Sequence, residues 1–237
     1  MSCISVDEII GAFQSVWNKV VKTYKEDWKE HMIESEDGGL DSYPPRFFSE
    51  SDLETEFLCL LREEFRKNSF KDTRITVKNQ FRFGYRTFRD IPELAQRIKR
   101  LKHRLEKETK QNSFVPDLEL DVASKDDNDP FLAFAELKYW LNMDPEYRNV
   151  QEMNKKEQGE IKRLRKQCRM LELAVEERVC ENAFLCIISD GYASGNAIRY
   201  VLDSIENEFK KLHFLIDGMP LNEKKEIVNS KQKLLSD

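Results

Sequence analysis

The stretch Phe114–Trp140 reads FVPDLELDVASKDDNDPFLAFAELKYW, and its alternation decides what kind of sheet this chain builds. In PDLELD a period of two separates Leu118, Leu120 and Val122 from Asp117, Glu119 and Asp121, the pattern of a strand with one apolar face. In FAELKYW the same period sets Ala135, Leu137 and Tyr139 against Glu136 and Lys138. Between them DDNDP is a cluster of turn formers. The spacing predicts strands at about 114–123 and 131–140 joined as a hairpin, with Asp117 and Glu136 converging at one end of the sheet.

Two carboxylates brought together in this way repel each other unless a cation lies between them, and burying them unpaired is costly. Hard oxygen ligands suit Mg²⁺ or Mn²⁺. Lys138, two residues beyond Glu136 on the same strand face, places an ammonium beside whatever water or anion such a cation holds. Phosphate chemistry is the expected use of that combination.

Outward from the hairpin, helical and strand periods alternate. Residues 6–31 carry Phe13, Trp17, Val20, Tyr24 and Trp28 on one helical face, followed by the breaker-rich EDGGLDSYPP; this helix docks either on the main body or on a second copy of the chain. SESDLETEFLCLLREEFRKN offers Ser49 and Ser51 as caps and Leu53, Phe57, Leu61 and Phe65 as a buried stripe. RITVKNQFRF at 74–83 alternates as a half-buried strand. Asp90, Pro92 and Glu93 open a helix with Ile91, Leu94, Ile98, Leu101 and Leu105 inside and a basic outer face. A second basic helix is predicted at 156–180 on Ile161, Leu164, Cys168, Leu171 and Val175. AFLCIIS at 183–189 reads as a strand covered on both faces. A helix with Ile198, Val201, Leu202, Ile205 and Phe209 comes next, then a short strand HFLID and a frayed helical tail.

The expected class is α/β, a central mixed sheet flanked by helices. Its organisation is an N-terminal helical appendage at 1–33, a connection at 34–48, the main domain at 49–217 with the basic helix 91–110 inserted, and a tail at 218–237.

Pro116-Asp117 followed nineteen positions later by Glu136-Leu137-Lys138 resembles the PD-(D/E)xK nuclease superfamily. The element order of residues 49–190, helix, strand, hairpin, helix, strand, is similar to that family's αβββαβ restriction-endonuclease-like core. The resemblance implies a metal-dependent nuclease in which Asp117, Glu136 and the carbonyl of Leu137 ligate Mg²⁺ or Mn²⁺ and Lys138 activates the attacking water. It also implies a glutamate on the preceding helix, here Glu50 with Glu54 as rival, acting through a water. A supporting polar residue on the following helix would be Lys166 or Gln167. The alternative is a catalytically silent relative that keeps the fold and binds nucleic acid or a protein partner.

The chain has 237 residues and a net charge of −5, which excludes a generic basic polyanion binder. Its positive charge is instead local. Arg97, Arg100 and Arg104 on the first basic helix, and Lys162, Arg163, Arg165 and Lys166 on the second, are the expected contacts to nucleic acid, DNA ahead of RNA. A solvated face is the plainer meaning of such runs. Five cysteines with no C-x-x-C, no secretory leader and no long apolar run suggest a reduced cytoplasmic setting and no membrane span. His31, His103 and His213 lack ligand-like spacing.

Overall fold

In the computed structural model the chain runs α1 (Val6–Glu34), α2 (Glu50–Lys67), β1 (Ile75–Asn79), α3 (Pro92–Thr109), β2 (Leu118–Val122), β3 (Phe131–Trp140), α4 (Lys155–Glu176), β4 (Cys180–Ser189), α5 (Ala197–Glu208) and β5 (His213–Asp217). The residues described are 5–34, 50–67, 75–79, 92–111, 114, 116–122, 130–140, 155–189 and 197–218. The strands form one mixed sheet in the order β1-β2-β3-β4-β5. β1, β2 and β3 are an antiparallel meander, and β4 and β5 run parallel to β3 through helical crossovers. The protein is therefore α/β with a mixed sheet, as the alternation and the covered run at 183–189 require.

Each face of the sheet has its own core. Leu118, Leu120, Ala133, Ala135, Leu137, Phe184, Cys186 and Ile188 pack under α1 and α2, while Phe134, Ala183, Leu185 and Ile187 pack under the helices that follow β1. β4 is buried on both faces because its side chains serve both cores in turn. α1 belongs to the first core: Phe13, Trp17, Val20 and Tyr24 are buried, and the Phe13 ring stacks on Phe184 with centroids 3.9 Å apart. Its aromatic face is thus covered by the sheet of its own chain. Ser5 and Glu8 close a reciprocal cap on its first turn, the Glu8 N–H donating to Ser5 Oγ at 3.2 Å and the Ser5 N–H to Glu8 Oε2 at 2.7 Å.

Among the described side chains the stripes of α2, α3, α4 and α5 lie inside as their periods predict, Val175 only partly, and HFLID is a strand; the Ile198 side chain lies outside the described residues. Boundaries differ in three places. β2 begins at Leu118, leaving Asp117 just ahead of the ladder. β4 starts three residues before the apolar run, because Cys180 pairs with Phe131. α4 ends at Glu176 and not near 180, since Arg178 takes a left-handed φ of 56° and the Val179 N–H turns back to the Ala174 carbonyl at 2.9 Å. That closure favours glycine; with arginine in its place the sequence carries no stop signal. Ser51 lies inside α2 and is not its cap. Ser49, Asp90, Ile91, the DDND turn, the continuation of β1 to 83, the Trp28 side chain and the tail lie outside the described residues.

Candidate metal centre

The β2–β3 ladder stops at Leu118↔Ala135, so the next β3 amide aimed toward β2, that of Leu137, has no strand partner. Asp117 supplies one: its Oδ2 accepts the Leu137 N–H at 2.8 Å. In an extended strand the N–H and C=O of one residue point to the same side. The Leu137 carbonyl therefore opens toward the same space as the Asp117 carboxylate.

Lys138 occupies the middle of the group. Its Nζ lies 2.8 Å from Glu50 Oε1, 3.2 Å from Glu136 Oε2 and 3.3 Å from Asp117 Oδ2. Glu50 is the first residue of α2, where the helix terminus favours an acid and the helix axis delivers its side chain to the sheet end. Glu54 follows one turn later, and Glu50, Glu54 and Asp117 each offer a carboxylate oxygen within 4.8 Å of the others. From the far side Gln167 of α4 donates its Nε2–H to Glu136 Oε2 at 3.3 Å.

The electrostatics are unbalanced. Glu136 is 2% exposed and Lys138 9%. One ammonium cannot neutralise the three carboxylates that contact it, and the most buried of them bears the penalty: desolvation first, then the charge of Asp117, push Glu136 well above the usual carboxylate range, with Lys138 acting the other way. Burial also works against the Lys138 ammonium, but Glu136, Asp117 and Glu50 together outweigh it and hold its pKa above the ordinary lysine value. Among the described residues, the three carboxylates of Glu50, Asp117 and Glu136 share the one ammonium of Lys138. Cys168, beside Gln167, is buried with its thiol pushed up by desolvation and then by Glu136.

The structure thus brings together Asp117, Glu136, Lys138, Glu50, Glu54 and Gln167. The basic residues are not gathered in the same way. Arg97 donates to the Arg178 carbonyl and pairs with Glu93, Arg100 pairs with Glu177, and Arg104 pairs with Glu108, Glu176 and Glu177. Arg165 is held by Glu208 and Ser204 of α5. Arg169 joins Glu108, Glu172 and Glu176, so α3 and α4 are linked by an ionic network. These acid partners were missed in the sequence reading. The i,i+4 pairs Glu93/Arg97 and Arg104/Glu108 could have been read from spacing, whereas the links between helices could not. His103 is exposed, and His213 is half-buried against Phe184.

Comparison of the chain with models of known protein families, with curated proteins and with solved structures found no match.

Proposed function

We propose that this protein is a divalent-metal-dependent nuclease with a restriction-endonuclease-like core. The observation that carries the reading is the convergence of Glu50, Asp117 and Glu136 on Lys138, three carboxylates around one ammonium, with a Glu54 oxygen within 4.8 Å of oxygens of Glu50 and Asp117. The order α2-β1-β2-β3-α4-β4, with only α3 inserted, supports the αβββαβ comparison.

The donor set fits a hard cation. Asp117, Glu136 and the Leu137 carbonyl would hold Mg²⁺ or Mn²⁺, with Glu50 and Glu54 at its outer side. Carboxylate oxygens of Glu50, Glu54 and Asp117 lie within 4.8 Å of one another, near enough to border one ion. When bound, such an ion supplies Lewis acidity toward a phosphoryl oxygen and acidifies a water. The chain's own groups do the remainder. Gln167 fixes the Glu136 carboxylate, Asp117 is fixed by the Leu137 amide, and Lys138 orients the nucleophilic water and offsets negative charge building on the phosphorus oxygens.

Calorimetric titration with Mn²⁺ tests this reading. Wild type is expected to bind about one ion or two per chain, and Asp117→Asn to bind at least roughly tenfold more weakly. Absence of Mn²⁺ binding by folded wild type would favour the alternative, a catalytically silent fold that binds a partner.

A further inference from the structure

Seven basic residues on two helices stand out in the sequence, and the structure divides them. Arg97, Arg100, Arg104 and Arg165 are each committed to acids or carbonyls of neighbouring elements. Lys162 and Lys166, in contrast, have no acid within ion-pair distance among the described residues. Arg163 has one ion pair, a 3.1 Å contact with Glu160 on its own helix, and its side chain is 68% exposed. Such an exposed i,i+3 pair is weak, so a phosphate displaces it readily.

Their position matters as much as their freedom. Gln167 touches Glu136, which fixes the side of α4 that borders the carboxylate cluster. Arg163 lies four residues earlier on that same side, about 6 Å along the helix axis. Lys166 is next to Gln167 in the chain, and Lys162 precedes Lys166 by one turn. Gln167 borders the buried stripe of Ile161, Leu164, Cys168 and Leu171, and Arg163, Lys166 and Lys162 follow it in that order around the helix onto the side away from that stripe. Since α4 runs antiparallel to β3 and β4, the direction from Gln167 toward its amino terminus is the direction from Glu136 toward Lys138 and the carboxyl end of β3.

We propose that a nucleic acid strand passes along this half of α4, with Arg163 and Lys166 holding phosphates beside the one that is cut and Lys162 holding the next outward. The proposal rests on the nuclease reading and names the surface that presents its substrate. The occupant is a polyphosphate backbone: the residues are cationic, spaced by helical turns and lead to a centre suited to phosphate. Recognition through these groups is salt-sensitive and indifferent to base sequence. The ionic network engages Arg97, Arg100 and Arg104, so the arginines of α3 are held by acids and carbonyls of the protein.

The test uses the full chain with Asp117→Asn as a non-cleaving background, a fluorescent twenty-nucleotide DNA and its RNA equivalent, and polyglutamate of equal charge as a competitor. Lys162→Ala with Lys166→Ala should weaken binding roughly tenfold at moderate salt and lower the salt slope by about two, and Arg163→Ala should add to both. Lys99→Ala with Lys107→Ala, two exposed lysines of α3 and the same loss of charge, should leave the slope within experimental error. In the cleaving background the α4 variants should raise KM while kcat stays within about twofold. Unchanged binding by the α4 variants, or an equal loss in the α3 variant, overturns the proposal, as does polyglutamate competing as well as DNA. If wild type cleaves and only the α4 prediction fails, the nuclease reading stands. If the α4 variants lose binding but wild type never cleaves with Mn²⁺, the surface stands and the catalytic reading falls.

Discussion

Lys138 brings one positive charge to within 3.3 Å of carboxylate oxygens from Glu50, Asp117 and Glu136. Removing it should therefore cost more than a surface charge would. Lys138→Met is expected to destabilise the metal-free protein by about 3–5 kcal/mol, because it leaves buried acids without a counter-charge. Mn²⁺ should raise the melting temperature of this variant more than that of wild type. An equal shift in both would mean that the acids do not share a cation site. Glu136 makes a second prediction. Its folded-state pKa lies above the unfolded value, so ionising it opposes folding: stability is fully present below the ordinary value of 4.5 and is lost as pH rises through the raised value. In EDTA, Glu136→Gln should flatten this alkaline-side loss in a melting series, and in wild type Mn²⁺ affinity should rise over the same window as the proton is released. The sequence made Asp117, Glu136 and Lys138 legible because a two-residue period fixes faces. It did not show that Leu137 anchors Asp117, since that depends on where a ladder ends.

At the scale of elements, α3 and α4 are joined across their apolar stripes and by arginine–glutamate contacts. Burial works against the ionised Glu176, but bonds from Lys211 and Arg104 bring its pKa down to about 2. This is the opposite case to Glu136. The contribution of Glu176 is present above the ordinary carboxylate value and disappears as pH falls toward 2. Acid unfolding should thus begin with weakening between α3 and α4, and hydrogen exchange near pH 3 should show amides of α3 opening before those of β4. Uniform opening would contradict that order. The end of α4 provides another test: Arg178→Gly should stabilise by up to about 1 kcal/mol by relieving the left-handed residue, measured by urea denaturation. These helices were readable from their 3.6-residue periods. Their ends and ionic partners were not, because a stop made by arginine and a contact across sixty residues leave no local pattern.

For the whole molecule, the two cores on either side of the sheet fix how α1 is viewed. A period of aromatic residues declares an apolar face but not the surface that covers it, so the sequence left docking and self-association open. The stacking of Phe13 on Phe184 puts the helix within the fold of one chain. Phe13→Ala should cost about 3–5 kcal/mol in urea denaturation; a loss below about 1 kcal/mol would mean that α1 is peripheral. The layered order also explains the location of the carboxylate cluster. β2 ends its pairing early, α2 points its first turn at the gap, and α4 covers Glu136 from the other face. The measurement that bears most directly on this account is cleavage of labelled single-stranded, duplex and branched DNA, and of RNA, in Mg²⁺ or Mn²⁺, with wild type beside Asp117→Ala. The expected result is metal-dependent cutting by wild type that falls on the order of 100-fold or more in the variant, with melting retained. Cutting at the same rate by both proteins, or by neither, would contradict it.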